Sequence, residues 1–241
     1  MLGSIANCRI LKLQTIDSTH KFAIRLIESE KAEELAIVAE KQTSGIGKYN
    51  RPWESPNGNL YISIIQKLWH RDLGKLSLTV AAAVHKVILH HIAGDLYLHW
   101  PNDIYYKESK IAGILIAVMN SWMVISIGVN INSMPDIACA VSIKDVLKVG
   151  IISIDCVLKS ILVELDIWFE ELRVCGFSFV KNYWLRYVNE ANRKVTIKDG
   201  NGFISGLFMG IDDFGRLILR KHGKNLFISS GDMFLSGSGE S

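Results

Sequence analysis

Residues 39–53, AEKQTSGIGKYNRPW, hold two glycines one residue apart, Gly45 and Gly47, followed by the cations Lys48 and Arg51 and by Trp53. Glycine lets backbone N–H groups come close to an anion, lysine brings a mobile positive charge, and an indole offers a flat apolar wall. This combination suits a phosphate-bearing ligand. It is not a Walker A loop, which would need glycine at Gln42 and Ser or Thr at Tyr49. Nor is it a dinucleotide fingerprint starting at Gly45, which would need glycine at Asn50. Three other places carry reactive or ligand-binding side chains. Asp17, Ser18 and Thr19 precede an amphipathic stretch, where they either cap a helix or lend its unpaired N–H groups to a polar ligand. WPND at 100–103 puts a rigid turn and two polar side chains, Asn102 and Asp103, at a strand end. Lys110 leads directly into the apolar run IAGIL. It is either a partner for an anion or an edge lysine whose stem lies on apolar surface.

The elements around these residues follow from periodicity. Short β-branched or alternating runs predict strands over 9–14, 35–40, 59–68 and 96–100. Apolar residues at helical spacing predict helices from Asp17 to about Ser29, over 75–91, over 153–172, and from Phe177 to about Asn189. His85, His90 and His91 fall on the second helix without the spacing that puts two ligands on one face, and are read as helix-surface residues with no metal. Residues 105–109 read as a polar turn. From Ile111 to Pro135 there is no charged residue, long enough on paper to cross a bilayer. Asn120-Ser121 divides that run into two β-branched halves, however, and a buried hairpin is the better reading. After Asn192 the pattern changes to short strands at 194–198, 202–211, 216–220 and 225–230, the spacing of a small barrel-like unit. The tail beyond Leu235 is Ser/Gly-rich and expected to be flexible.

Composition bounds the rest. At 241 residues, 49% hydrophobic and 21% charged, the chain is long and apolar enough for one large domain with a small satellite. A net charge of +3 does not by itself imply nucleic acid. The four cysteines are scattered, with no CxxC pair, which favours reduced thiols in the cytoplasm. The first residues carry no signal-peptide pattern.

Taken together, five segments in order resemble the biotin protein ligase family. They are DST at 17–19, AEKQTSGIGKYNRPWESPNGNLYIS at 39–63, HWPNDIY at 99–105, KIAGIL at 110–115 and ISIGVNIN at 125–132, with GIDDFGRLIL at 210–219 similar to the family's C-terminal part. The resemblance implies an α+β fold: a mixed β-sheet with helices packed on it, of the class II synthetase-like biotin/lipoate ligase type, over 1–190. It also implies a small SH3-like β-barrel over 191–235, followed by a flexible tail at 236–241. It leaves no room for an N-terminal DNA-binding domain, so no repressor activity is expected. The implied reaction joins biotin to ATP, with Mg2+, as biotinyl-5′-AMP and then passes biotin to a lysine of a biotin carboxyl carrier domain. The expected protein is cytoplasmic, a monomer or weak homodimer, with no nucleic-acid or membrane partner. Lipoate or octanoate transfer, and biotin binding without transfer, are the alternatives.

Carried over residue by residue, the resemblance gives Lys110 and Lys48 catalytic roles. It places Ser18, Thr19, His20, Gln42, Gly45, Ile46, Gly47, Lys110, Gly113 and Leu115 around biotin. Lys48, Arg51, Trp53, Asn102, Asp103 and Asn130 fall to ATP or the adenylate, with the metal near Asp103. This chain departs from the family pattern in four places. Ile46 and Lys48 stand where the family's GRGR loop has arginines, His99 stands for the lysine before WPND, and His20 stands for an asparagine. A lysine is a point charge where arginine has a planar fork, and a histidine is a weaker, pH-dependent cation.

Overall fold

The computed structural model describes residues 4–92, 94–137, 139–199 and 202–235. Seven strands form a mixed sheet: β1 (Arg9–Ile16), β2 (Leu35–Gln42), β3 (Leu60–Lys67), β4 (Leu96–His99), β5 (Asp103–Tyr106), β6 (Ser109–Met119) and β7 (Trp122–Val129). Their spatial order is β1-β2-β3-β7-β6-β5-β4, with β1 and β2 parallel and the other neighbours antiparallel. The uncharged run at 111–135 supplies the two central strands β6 and β7, joined at Asn120, which has a positive φ of 54° as a tight turn demands. No helix among the described residues is long and apolar enough to cross a membrane.

Helices pack on both faces of this sheet, and the inner strands β2, β3 and β7 read as nearly continuous apolar runs. On one face Ile62 and Ile64 of β3 and Ile125 and Ile127 of β7 pack against α2 (Leu73–Leu89) and α4 (Ile154–Val174), with α5 (Phe177–Tyr187) behind. On the other, Ile65 and Val124 meet Ala23 and Ile27 of α1 (Thr19–Glu28). α1 covers only part of that second face, and what it leaves open becomes the cavity described below. A short helix, α3 (Ile143–Leu147), also forms, which the periodicity does not reveal.

The remaining strands, β8 (Lys194–Asp199), β9 (Gly202–Ile211), β10 (Leu217–Lys221), β11 (Lys224–Ile228) and β12 (Asp232–Leu235), make an antiparallel sheet in the order β11-β10-β9-β8-β12. Val195, Phe208, Leu219 and Met233 of this sheet join the same buried cluster as α2 and α4. Trp100 ties the two sheets further, its Nε1 donating to the Gly215 carbonyl at 3.2 Å. The tail at 236–241 lies outside the described residues.

The structure corrects the sequence reading in two places. The segment read as a polar turn over 105–109 is mostly strand: Tyr105 and Tyr106 belong to β5, and the reversal is confined to Lys107 and Glu108. His85 is not on the helix surface but fully buried, because α2 is enclosed by α4 and α5 as well as by the sheet. Its Nε2 lies 3.2 Å from the Leu96 carbonyl and its Nδ1 2.9 Å from Tyr183 Oη. A neutral imidazole satisfies both, donating from Nε2 and accepting at Nδ1.

One packing constraint decides where the loop after β2 can lie. Gly113 and Gly128 sit opposite each other in register on β6 and β7. The indole of Trp53 lies over both, and a Cβ on Gly128 would come within 2.6 Å of it, one on Gly113 within 3.1 Å. Gly128→Ala should therefore push the indole off the sheet. The expected result is increased acrylamide quenching of the Trp53 emission, obtained by difference from Trp53→Phe, in a protein with unchanged far-UV circular dichroism. Unchanged quenching would mean the sheet yields instead of the loop.

A second prediction concerns pH. Burial pushes the pKa of His85 and of His20 down to about 4, whereas an unfolded histidine titrates near 6.5. Below 6.5 the unfolded chain then binds more protons than the folded one, so stability falls as pH drops from 6.5 toward 4 and is level above. Each buried imidazole costs the folded state on the order of 3 kcal/mol by pH 4. The decline of Tm across that window should be shallower in His85→Gln; parallel curves would assign the acid lability to other groups.

Candidate active site

The open part of the second sheet face holds a cavity of about 300 Å³, closed on one side by the 45–53 loop and on another by β12. Strand register sets what lines its floor. Tyr61, Gly128, Gly113 and Asp103 face one another across β3, β7, β6 and β5, and Ser63, Ser126 and Leu115 form the next row.

One end of the cavity is polar and uncharged. Ser18 is the N-cap of α1, its Oγ accepting from the Lys21 N–H, so capping is an observed role of this side chain. Asp17 turns away and pairs with Arg25 at 2.7 and 2.8 Å, and that guanidinium holds its carboxyl at about 2. Thr19 donates from its N–H and its Oγ1 to Gln42 Oε1 at 2.8 and 3.2 Å. Ser63 Oγ donates to Thr19 Oγ1 and lies 2.8 Å from Ser126 Oγ, which lies 2.8 Å from His20 Nδ1. At the far end Gln42 Nε2 donates to Ser55 Oγ, which donates to the Trp53 carbonyl. A continuous hydrogen-bonded chain thus runs from His20 to the loop. His20, kept neutral by burial, contributes no charge to it.

The loop itself is a narrow hairpin. Trp53 N–H donates to the Gly45 carbonyl, Gly47 N–H to the Arg51 carbonyl, and Ile46 pairs with Pro52. Gly47 and Ile46 line the cavity. Gly45 does not. It is needed for packing, since a Cβ there would come within 2.8 Å or less of the Trp53 carbonyl, Ser55 and Gln42.

The other end is cationic. Lys110 Nζ lies 2.6 Å from Asp103 Oδ2 and 5.3 Å from the Trp53 ring centroid. Arg51 pairs with Asp232 at 2.6 Å, and Lys48 Nζ donates to the Gly231 carbonyl at 2.9 Å. Burial lowers the Lys48 pKa, partly offset by Asp232 and Asp103. Asn102 is pinned by its side chain and carbonyl to Ile114 of β6, which fixes the turn carrying Asp103. His99 also lines the cavity, but both ring nitrogens are engaged: Nδ1 lies 2.6 Å from Glu190 Oε1 and Nε2 2.8 Å from the Met233 carbonyl. Burial opposes its protonation, the buried Glu190 carboxylate outweighs that, and the net pKa is raised. With both nitrogens held, His99 is not a mobile cation offered to a ligand. Asn130 lies outside the cavity lining, buried beneath the Lys110 backbone, with Nδ2 3.5 Å from the Lys110 carbonyl.

The structure thus brings together Ser18, Thr19, His20, Gln42, Ile46, Gly47, Lys48, Arg51, Trp53, Asn102, Asp103, Lys110, Gly113 and Leu115, and sets Gly45 and Asn130 just behind them. The sequence reading missed Ser55, Ser63 and Ser126, and it missed Asp232 and Met233. Lone serines inside β-branched runs were a usable signal for Ser63 and Ser126; nothing local marks Asp232. Among the described residues no three His, Cys, Asp or Glu side chains are grouped to hold a metal.

Residues 13–132 match the model of the biotin/lipoate A/B protein ligase family, and residues 191–236 match that of the biotin protein ligase C-terminal domain. The chain is 27% identical over 241 residues to the biotin–[acetyl-CoA-carboxylase] ligase of Paracoccus denitrificans, covering 93% of this chain and 100% of that protein. It is 29% identical over 220 residues to the bifunctional ligase/repressor BirA of Bacillus subtilis, covering 85% of this chain and 67% of that one. In fold it is similar to the biotin protein ligase of Aquifex aeolicus, solved in complex with biotin and ATP, with a TM-score of 0.84 at 24% identity over 94% of this chain and 98% of that one. With both models matched in order along it, the chain belongs to the biotin protein ligase family.

Proposed function

We propose that this protein activates biotin with ATP and transfers it to a lysine of a biotin carboxyl carrier domain. The observation that supports this most directly is the division of one cavity into an uncharged hydrogen-bonding end and an end with three cations, Lys48, Arg51 and Lys110, the last paired with Asp103. The hydroxyl and amide groups of Ser18, Thr19, Gln42 and Ser126 suit the small polar head of biotin, and Gly113 and Leu115 suit its apolar chain. Lys48 and Arg51 suit a triphosphate, and Trp53 the nucleotide side.

In the first step a biotin carboxylate oxygen attacks the α-phosphorus, the bond to the pyrophosphate oxygen breaks, and biotinyl-5′-AMP forms. In the second the acceptor amine attacks the acyl carbon, the acyl–oxygen bond breaks, AMP leaves, and the amine proton passes to solvent. Both steps build negative charge on oxygens, so fixed cations and correct placement supply the catalysis. Lys110 would draw the carboxylate and the α-phosphate together. Its ammonium lies over Trp53, in a partly dry site where a charge acts more strongly than in water.

Asp103 fits a divalent cation arriving with ATP. Its Oδ1 is buried without a hydrogen-bond partner while Oδ2 is taken by Lys110. A magnesium ion held there would neutralise phosphate charge. Residues 1–190 would then form the catalytic unit and 191–235 a unit that completes the site wall. Both would work in the cytoplasm, where the four free cysteines remain reduced.

Incubation with ATP, Mg2+ and a carrier domain, offering labelled biotin, lipoate or octanoate in turn, tests the proposal. Transfer of biotin is expected. Transfer of lipoate or octanoate alone would overturn it, and biotin binding without transfer would reduce the protein to a binding relative. Lys110→Ala should lower biotinyl-AMP formation by about 10²–10³-fold while leaving the circular dichroism spectrum unchanged. Near-normal adenylate formation would remove Lys110 from its role.

A further inference from the structure

Each of the three cations at the phosphate-facing end already has an oxygen partner, and two of those partners come from the C-terminal sheet. Gly231, Asp232 and Met233 are consecutive, and each binds one side chain of the larger unit. The Gly231 carbonyl accepts from Lys48, the Asp232 carboxylate pairs with Arg51, and the Met233 carbonyl lies 2.8 Å from His99 Nε2. The backbone here has little freedom to shift. Gly231 has a φ of 144°, and a Cβ on it would come within 2.7 Å of Ile197 and 3.0 Å of the Lys198 carbonyl. These three residues lie within the matched C-terminal domain at 191–236 but outside the motif segments quoted from the sequence.

Asp232 lines the cavity itself. Its carboxylate presents to Arg51 the same charged oxygen that a phosphate would present. The Arg51 side chain is 55% exposed, and an ion pair so open to water adds little to global stability. A structural tie is therefore a weak account of it. A triphosphate reaching the same end would bring several negative charges to Lys48 and Arg51, and a carboxylate left at 2.6 Å from Arg51 would oppose them.

We infer that Asp232 is a positioning residue of the site: without nucleotide it holds Arg51, and with the Gly231 carbonyl holding Lys48 it keeps the 45–53 loop folded over the cavity, until a triphosphate takes Arg51 from it. This rests on the ATP-dependent reading above. The second domain thus supplies a stand-in for phosphate, and loop closure precedes nucleotide.

Trypsin reports on the contact directly, because cleavage at Lys48–Tyr49 requires Lys48 to leave the Gly231 carbonyl. In the ligand-free full chain, Asp232→Asn should be cut at this bond several-fold faster than the parent protein, and Asp232→Glu should restore protection. Arg51→Gln, which removes the other partner, should open the same bond. In Asp232→Asn the KM for ATP in adenylate formation should fall by up to about fivefold with kcat nearly unchanged, since the competing carboxylate is gone. Equal cleavage of parent, Asp232→Asn and Arg51→Gln would overturn the inference, as would an unchanged KM. The proteolysis arm needs no ligand, so it stands apart from the ligase reading. If ATP alone failed to protect Lys48–Tyr49 in Asp232→Asn while Asp232→Glu remained protected, the nucleotide reading would fall and the contact would remain.

Discussion

The site depends on two strands that carry no side chains where they meet. Gly113 and Gly128 face each other across β6 and β7, and the missing side chains let the loop after β2 lie close against the sheet. Trp53 fills the gap, and the end of Lys110 bends into it as well, with Cε and Nζ near 3.2 and 3.3 Å from where a Gly113 Cβ would be. Wall and ammonium are therefore set by the same two absences. With the indole fixed, the hairpin at 45–53 can close by its own backbone bonds, and Gly45 must be glycine because the returning chain passes so close. Residues that look like separate motif positions are thus one packing problem.

The polar chain beneath answers a different constraint. Ser63 and Ser126 stand opposite each other on the central strands β3 and β7 with apolar residues on either side along each strand, and a buried hydroxyl without a partner is costly. Each is satisfied by the next, from His20 through Thr19 and Gln42 to Ser55 and the Trp53 carbonyl. A network of this kind holds its members in one arrangement when every bond is made. It also links the end of the cavity that reads a polar head to the loop that covers the reacting end. A neutral His20 fits here, since an imidazolium would need a counter-charge that its hydrogen-bond partner, the Ser126 hydroxyl, does not supply.

Much of this was legible before the structure. Alternation and helical spacing located β1, β2, β3, α1, α2, α4 and α5 to within a few residues, because each buries one or both faces along its own length. The five ordered segments pointed to the cavity, since each contributes residues that line it. What stayed hidden involved enclosure or distance. His85 sits at a helix position that local pattern cannot assign to core or surface, and Tyr183 of α5, about a hundred residues later, helps to cover it. His99 read as a weakened cation because its type was visible and Glu190 was not. Asp232 is 181 residues from Arg51, and no local signal connects them.

The departures in the loop also take on a physical sense. Ile46 pairs with Pro52 through the backbone and lines the cavity, so the residue that stands for an arginine presents an apolar side chain at the wall instead of a charge. Lys48 makes a single bond to a carbonyl, which suits a point charge; an arginine fork would need a second acceptor there. The loop's remaining fork is Arg51, and Asp232 meets it. With fewer bidentate groups of its own, the loop leans on the C-terminal sheet. Gly231, Asp232 and Met233 make that possible because β12 begins where β8 holds it tightly. The small sheet is thus joined to the cavity wall by the same residues that restrain the loop, and a displacement of β12 would be felt first at the cations.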